Sequence, residues 1–347
     1  MNILEVVSTR GSSGAVTYAR RIVPQLLDRG HKVFLAALPD SWIANELKNT
    51  IPVIYTSFAR WPLSELKRIA DFCKHEDIDF VHSHLTRANH FSALLKLIHK
   101  IPSIAHLHAN NMESTHWFHD LVIAVSKDTF RRHRFRGVGH GNRGALLYNY
   151  VDTDEFQPIA AVNTDPLREL INANSSDPVI VQVGQICGRK GQDVTIAALP
   201  TIWKIFPSAR MVFIGEGNPI HTNDSRVSWL GRREDVHKLL PAATIALQPS
   251  RVEPFGLAVV EAMACKVPVV ASSVGGLQEI AEGGSMVLVP ANNPAELAHA
   301  VIKLLSDEDL RLAYIEKAFL KVLTQFGANA HMNQLEKLFS QVILKKS

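Results

Sequence analysis

Two glutamates with seven residues between them lie in the segment 248–280, QPSRVEPFGLAVVEAMACKVPVVASSVGGLQEI. Pro254 and Gly256 separate Glu253 from a helical run that begins near Leu257 and contains Glu261. The free backbone N–H groups at a helix start can bind a diphosphate. A carboxylate can accept hydrogen bonds from a pair of sugar or ribose hydroxyls. This pattern fits a nucleoside-diphosphate sugar, but these residue types alone equally allow a packing turn with two solvated glutamates.

Histidines are concentrated between residues 82 and 119 and include His82, His84, His90, His106, His108, His116 and His119. In each of the two H-x-H pairs, a β-strand would direct both rings to one face, as metal ligands require. A metal site would also need carboxylate or cysteine companions, and none has suitable spacing in the sequence. We therefore expect no metal.

Two further groups of residues could approach an anionic ligand. Gly11 and Gly14 lie in RGSSGAV, between the first strand and the first helix, where small residues permit close backbone approach. The segment is not G-x-G-x-x-G, so it gives little support to a nicotinamide cofactor. Arg189 and Lys190 follow a strand of the second half, and they could neutralise a departing diphosphate or simply form a solvated basic loop.

Short apolar runs alternate with helical periodicity along the chain, which predicts parallel sheets with right-handed crossovers. The predicted strands are Ile3–Val7, Lys32–Ala37, Val53–Tyr55, Phe80–His84, Ser103–His108 and Leu121–Val125, then Val179–Val183, Met211–Ile214, Val227–Trp229, Ile245–Gln248, Val267–Ala271 and Met286–Val289. A polar, turn-rich stretch from about 150 to 178 separates the two sets. Helices are predicted at Pro294–Leu305, Asp307–Lys321 and His331–Leu344.

Bulk properties agree with two globular domains. The chain has 347 residues, of which 46% are hydrophobic and 20% charged, and domains usually contain about 100–200 residues. We expect no signal peptide and no membrane span. Three separated cysteines fit reduced thiols and a cytoplasmic location.

The charge is uneven. Residues 1–150 carry 19 basic and 12 acidic side chains, a net +7, whereas the remainder carries −3. The run from Lys127 to Arg143 contains six basic residues with Phe130 and Phe135 among them. It is either a solvated helix face or a surface for anionic lipid or a phosphorylated acceptor. No recognition motif for nucleic acid accompanies it.

The segment 253–261, EPFGLAVVE, resembles the E-x7-E signature of glycosyltransferase family 4. The similarity continues through EAMACKVPVVAS and VGGLQEI, and upstream through VGQICGRKGQDVTIAALP, FIGEGN and VSWLGRRED. It covers nearly the whole chain and is strongest over 179–290. The resemblance implies an α/β GT-B fold of two Rossmann-like domains facing each other across a cleft. It also implies donor binding by the second domain and retention of anomeric configuration without a metal.

The resemblance also implies roles for individual residues. His108, Arg189, Lys190 and Glu253 would be catalytic, with His108 contacting the transferred sugar. The donor would be bound by Gly14, Arg189, Lys190, Arg232, Pro254, Phe255, Gly256, Leu257 and Glu261. Ser126 and Asn149 would face the cleft. Two departures from the family pattern are Gln185 in place of an arginine and Tyr150 in place of a glycine that could adopt positive φ.

We therefore expect an acceptor domain over 1–158, a donor domain over 159–328 and a terminal helix over 329–347 that packs back on the first domain. The expected activity is sugar transfer to a hydroxyl of a glycan, lipid-linked or phosphorylated acceptor. Envelope polysaccharide or lipopolysaccharide synthesis is the expected pathway, with peripheral attachment to a membrane. A nucleotide-sugar epimerase or hydrolase and a non-catalytic sugar-nucleotide-binding protein are the alternatives.

Overall fold

The computed structural model describes residues 1–59, 63–110, 114–134, 143–158 and 166–344. These residues form two compact units, one of residues 1–149 and 331–347, the other of residues 150–330. In each unit a parallel sheet is flanked by helices, which confirms the prediction of two Rossmann-like domains.

The first unit is built on seven strands in the order β3-β2-β1-β4-β5-β6-β7. Their bounds are β1 Asn2–Val7, β2 Lys32–Ala37, β3 Val53–Tyr55, β4 Phe80–His84, β5 Ser103–Leu107, β6 Leu121–Ala124 and β7 Gly144–Leu146. Strand β7, which was not predicted, has only three residues, and all three are half-buried. The strand order reverses between β1 and β4, and in open α/β sheets such a switch point leaves a crevice at the carboxyl ends of the strands.

The helices of the first unit are α1 Gly14–Asp28, α2 Trp42–Leu47, α3 Leu63–His75, α4 Thr86–His99, the 3-10 helix Ser114–Phe118 and α5 Lys127–Arg134. Almost every residue of β1, β2, β4 and β5 is buried, as expected for parallel strands that are covered on both faces. Six of these buried residues are polar, and all six are fully buried: Glu5, His82, Ser83, His84, Ser103 and His106.

The second unit has six strands in the order β10-β9-β8-β11-β12-β13. They are β8 Val179–Val183, β9 Arg210–Ile214, β10 Val227–Trp229, β11 Ile245–Gln248, β12 Val269–Ser272 and β13 Val287–Val289. Strand β12 begins two residues later than predicted. Val267 N–H instead donates to the Ala262 carbonyl and ends a helix, and Pro268 has no N–H to donate. Here the order reverses between β8 and β11.

The remaining α-helices are α6 Pro166–Ile171, α7 Gln192–Ile205, α8 Val236–Leu239, α9 Leu257–Ala264, α10 Gly276–Ala281, α11 Pro294–Ser306, α12 Glu308–Lys321 and α13 Ala328–Leu344, with a 3-10 helix at Leu240–Ala242 and a π-helix at Val322–Phe326. From His331 onward α13 belongs to the first unit. There His331 Nε2 lies 2.9 Å from the Tyr18 hydroxyl, and Glu336 pairs with Arg29 at 2.7 Å. Among the described residues, no helix is both long enough and apolar enough to cross a membrane.

Candidate active site

Glu253 lies in the loop after β11, at the switch point of the second sheet. Three donors bond to its Oε2: Lys190 Nζ at 2.6 Å, Gln248 Nε2 at 3.0 Å and Ser250 Oγ at 3.0 Å. Oε1 has no donor among the described residues, and the residue is only 6% exposed. The carboxylate is thus held by one oxygen while the other remains able to accept a hydroxyl hydrogen bond.

Close contacts of the backbone shape the start of α9. Gly256 has φ of +122°, and a Cβ there would lie 2.7 Å from Leu277 Cδ2. Gly276 at the start of α10 donates its N–H to the Glu253 carbonyl at 3.0 Å. A Cβ on Gly276 would lie 2.5 Å from the Pro254 carbonyl oxygen. Both glycines are therefore needed to place the 253–256 turn against α10.

The other predicted donor-binding residues of this segment have different environments. Phe255 is buried, with its ring centroid 5.6 Å from that of Phe326, so its side chain belongs to the core. Any ligand contact of Phe255 would involve its backbone. Leu257 is half-buried at the first position of α9, and Glu261 lies one turn further along the helix with 8% exposure.

The loop 184–191 follows β8, on the other side of the same switch point. Gln182 Nε2 donates to the Lys190 carbonyl at 2.9 Å, and Gln192 Nε2 donates to the Gln185 carbonyl at 2.9 Å. Gly191, with φ of +73°, packs so closely that a Cβ would lie 2.1 Å from the Pro249 carbonyl oxygen. These contacts fix the loop and direct Lys190 to Glu253.

Arg189 has a different position from Lys190. It is exposed and has no ion pair among the residues that the structure describes. Its carbonyl accepts a hydrogen bond from the Arg251 N–H at 2.8 Å. The backbone of Arg189 is therefore held in place while its side chain is exposed, and the diphosphate contact of Arg189 stays a prediction.

The sequence did not identify Arg251 as a member of this site. Its guanidinium forms a bidentate ion pair with Asp193, with distances of 2.9 and 2.6 Å, and also donates to the Gly188 carbonyl. The hydrogen bond from Arg251 lowers the pKa of Asp193. Arg251 thereby connects the loop before Glu253 to the loop of Arg189 and Lys190. Its position two residues before a predicted site glutamate was the available signal.

Arg232, which was predicted to bind the donor, follows β10 and pairs with Glu234 at 2.7 Å. Its neighbour Arg233 pairs with Asp235 at 2.7 Å. Both arginines therefore have an acidic partner close in sequence. Donor binding by Arg232 stays a prediction.

The first unit contains a buried cluster of one glutamate and several histidines. The sequence analysis found no carboxylate spaced to join these histidines in a metal site, but Glu5, on β1 beside β4, is such a carboxylate. Its Oε1 lies 3.0 Å from His82 Nδ1, and its Oε2 lies 2.8 Å from His84 Nε2. Nitrogen atoms of His82, His84 and His106 lie within 4.8 Å of one another, a grouping that could hold a metal ion. Parallel pairing of β1 with β4 places Glu5 opposite His82, although the two are 77 residues apart.

The outer histidines complete the cluster. His82 Nε2 lies 3.2 Å from His106 Nδ1, and His84 Nδ1 lies 3.0 Å from His108 Nε2. The Tyr18 ring packs against His84, His106 and His108, with centroid distances of 4.7 to 5.8 Å. Helices α1 and α13 supply Tyr18 and His331, which cover this face of the sheet.

Burial and mutual repulsion set the charge states in the cluster. Burial, together with His82, lowers the pKa of His84 to about 4. Burial and the surrounding imidazoles lower the pKa of His106 and His108 well below the usual value. Burial alone would raise the pKa of Glu5, but the interactions with His82 and His84 outweigh it and lower the pKa to about 2.

His108 lines a pocket of about 240 Å³ at the switch point between β1 and β4. Ser8, Thr9, Thr86 and Arg87 are also among its lining residues. Nδ1 of His108 is shielded from solvent and has no hydrogen-bond partner among the described residues. This unpaired atom beside a pocket agrees with the predicted sugar contact, which stays a prediction.

Four other residues that the sequence analysis singled out have different environments. Ser126 is buried and its Oγ accepts the Thr129 N–H at 3.0 Å, which is the geometry of a helix cap on α5. Asn149 is buried and its Oδ1 has no partner among the described residues. Tyr150 is buried and is not one of the residues with positive φ, so its replacement of glycine causes no strain. Gly14 is exposed at the first position of α1.

The predicted basic run is described only in part. Residues 135–142, including Phe135 and Arg136, lie outside the described residues, as does the side chain of Arg134. Arg131 is exposed on α5, and Arg132 pairs with Asp128 at 2.8 Å. Arg143 donates to the Trp117 carbonyl at 2.9 Å. Trp117 and Phe118 are 44% and 45% exposed.

Comparison with known proteins gives a consistent result. The chain matches the family "Glycosyl transferases group 1" over residues 163–321 and "Glycosyltransferase Family 4" over residues 12–155. It is 24% identical to the N-acetyl-alpha-D-glucosaminyl L-malate synthase of Bacillus anthracis, covering 96% of this chain and 94% of that protein. It is 25% identical to the phosphatidyl-myo-inositol mannosyltransferase of Mycobacterium tuberculosis, covering 87% and 86%.

Among solved structures, HepE of Anabaena in complex with UDP-glucose is similar to this chain with a TM-score of 0.86 and 22% identity. The alignment covers 98% of this chain and all of HepE. Two Rossmann-like units, each with one reversal of strand order, have the architecture of the GT-B fold. The two family matches, which together cover most of the sequence, place this chain among the family 4-type glycosyltransferases.

Proposed function

We propose that this chain transfers a sugar from a nucleoside-diphosphate sugar to a hydroxyl acceptor, with retention of anomeric configuration and without a metal. The observation that carries the proposal is the arrangement around Glu253. Three donors occupy one carboxylate oxygen and leave the other to accept a hydroxyl, directly before the start of α9. Backbone N–H groups at such a helix start favour phosphate.

The reacting bond in this proposal is the one between the anomeric carbon and the diphosphate oxygen. As it breaks, negative charge grows on the diphosphate, and Arg189 and Lys190 stabilise it. The acceptor hydroxyl attacks the anomeric carbon from the face that the diphosphate leaves. The departing phosphate oxygen accepts the proton of that hydroxyl. Glu253 positions the donor through a hydroxyl group, and no residue of the chain acts as a nucleophile.

A panel of UDP-, GDP- and ADP-sugars tests this proposal. Thermal shift with each donor should identify one that stabilises the protein, since a ligand that binds only the folded state raises its stability. NMR of the product formed with that donor and an acceptor should then show retained configuration. Free sugar or an epimerised nucleotide sugar formed without acceptor would instead favour the hydrolase or epimerase alternative. Binding without any turnover would favour a non-catalytic protein.

We further propose a lipid-linked or phosphorylated acceptor of envelope polysaccharide or lipopolysaccharide synthesis. Residues 1–150 carry a net +7. On the same unit, α4 packs against the 3-10 helix Ser114–Phe118. These two elements expose four large apolar side chains, Leu97, Ile98, Trp117 and Phe118. Basic charge beside exposed aromatic residues favours an anionic membrane surface, where such an acceptor would be presented.

A further inference from the structure

His108, which the family resemblance predicts to contact the transferred sugar, is connected to a buried carboxylate through a second histidine. Glu5 Oε2 lies 2.8 Å from His84 Nε2, and the other nitrogen of His84, Nδ1, lies 3.0 Å from His108 Nε2. Glu5 and His84 are both completely buried. The three side chains form a hydrogen-bonded series from β1 through β4 to the end of β5.

The proton positions in this series follow from its chemistry. An ionised carboxylate can only accept hydrogen bonds, so His84 must donate from Nε2. A neutral imidazole carries one proton, and therefore His84 Nδ1 is an acceptor. His108 must then donate from Nε2, and its own single proton is used there. Nδ1 of His108 is left as a lone pair.

The surroundings of His108 agree with that assignment. Nδ1 has no hydrogen-bond partner among the described residues and is shielded from solvent. A buried acceptor without a partner costs free energy that a ligand hydroxyl could recover. The Tyr18 ring, with its centroid 5.0 Å from that of His108, limits rotation of the imidazole. The pocket that His108 lines has space for a small polar group.

We propose that Glu5 is a positioning residue that, through His84, keeps Nδ1 of His108 as a hydrogen-bond acceptor for a hydroxyl of the bound sugar. The part of this proposal that concerns the sugar rests on the proposed function. The tautomer itself does not. The predicted site therefore includes a specificity element, since an acceptor nitrogen requires a group that can donate.

Long-range ¹H–¹⁵N NMR of the imidazole nitrogens in the protein without substrate tests the tautomer. A His108→Asn variant assigns the signals. In the unaltered protein, Nδ1 of His108 should be unprotonated and Nε2 protonated. Glu5→Leu removes the acceptor, and His84→Phe removes the link while keeping an aromatic ring against Tyr18. In both variants the signals of His108 should move toward an average of the two tautomers.

His82→Phe is the matched control. This substitution alters the same buried cluster, because His82 contacts Oε1 of Glu5. It leaves the series from Glu5 to His108 intact, because that series begins at Oε2. Its His108 signals should stay at the positions of the unaltered protein. A protonated Nδ1 in the unaltered protein, or unchanged His108 signals in both Glu5→Leu and His84→Phe, would overturn the proposal. Stoichiometric zinc bound by His82, His84 and His106 in the purified protein would also overturn the proposal.

Donor analogues test the function of the lone pair. Transfer from UDP-glucose is compared with transfer from its mono-deoxyfluoro analogues, because fluorine can accept a hydrogen bond but cannot donate one. One analogue should react about tenfold more slowly than UDP-glucose with the unaltered protein. Glu5→Leu should reduce this discrimination, whereas His82→Phe should preserve it. Equal discrimination in all three proteins would overturn the specificity role. If the NMR result holds but no nucleotide sugar reacts, only the proposed function fails.

Discussion

The side chains of Lys190 and Glu253 form an ion pair in which Nζ lies 2.6 Å from Oε2, and both groups are largely buried. They come from loops on opposite sides of the β8–β11 switch point. Lys190, which we propose binds the diphosphate, therefore also orients Glu253, the carboxylate that we propose binds the sugar. Substitutions at these two positions should consequently have separable effects on transfer and on nucleotide binding.

Glu253→Gln should reduce transfer roughly ten- to hundredfold or more, because a charged hydrogen bond of about 1.5–3 kcal/mol is lost. The amide can still bond to Gln248 and Ser250, so the fold should persist. Initial rates and thermal unfolding measure both effects. Affinity for the free nucleoside diphosphate should not fall, since Lys190 is then released from its partner. Glu253→Ala, which removes the whole carboxylate, is the stricter test. Near-wild-type turnover in that variant would show that Glu253 does not take part in transfer.

Arg189→Ala and Lys190→Ala should each weaken binding of the nucleoside diphosphate by about tenfold or more and slow transfer. Isothermal titration with the free diphosphate checks this. Lys204→Ala is a suitable control, because Lys204 is an exposed lysine at the far end of α7. Unchanged affinity in both test variants would assign the diphosphate to other cations, such as Arg232 or Arg233.

Transfer should continue in the presence of EDTA if, as we propose, Arg189 and Lys190 supply the positive charge that a divalent cation would otherwise provide. The measurement is the rate after dialysis against the chelator, compared with the rate after magnesium or manganese is added back. Activity that disappears and returns with added metal would contradict metal-independent transfer and would direct attention to His82, His84 and His106 as ligands.

Binding to vesicles of anionic lipid, but not of zwitterionic lipid, is expected from the basic first half of the chain. Each basic residue near such a surface contributes roughly 1 kcal/mol, and added salt should weaken the interaction. Arg131→Glu with Arg134→Glu should reduce co-sedimentation without changing donor affinity. Trp117→Ser with Phe118→Ser should do the same if the exposed aromatic residues enter the interface. Equal sedimentation with both lipids would leave these side chains as ordinary solvated surface.

The first unit should lose stability as the pH falls below about 6.5, because folding lowers the pKa of His84 to about 4 and that of His331 to about 3. The unfolded chain then binds protons that the folded chain excludes. Each group contributes about 1.4 kcal/mol per pH unit while the pH lies between its unfolded and folded pKa. Glu5 adds to the loss only below about 4.5, its unfolded value.

Urea unfolding at several pH values between 7 and 4 measures this slope. His84→Phe should make the slope shallower by up to about 1.4 kcal/mol per pH unit. His75→Gln should leave it unchanged, since the His75 side chain is 84% exposed. A free energy of unfolding that is constant over this range would contradict the neutral, buried state of these histidines.

Much of the second unit could be predicted from the sequence. Strands buried on both faces leave continuous apolar runs, and for this reason β8 and β11 were predicted with their observed bounds. The E-x7-E spacing indicated both Glu253 and the start of α9, because a loop and one helical turn are local features. Arg251 was missed, since its partner Asp193 lies 58 residues away and nothing local connects the two.

The sequence by itself determined which residue types are present and the local elements that carry them: a glutamate before a helix, a basic pair after a strand, and two H-x-H pairs on strands. Only the tertiary structure decided which of these residues meet. Glu5 reaches the histidines because β1 pairs with β4 in one particular register, and a register is set by the packing of the whole sheet. The environment of His108 depends on Glu5, His84 and Tyr18, three residues far apart in the sequence. The tautomer inferred for His108 follows from their distances.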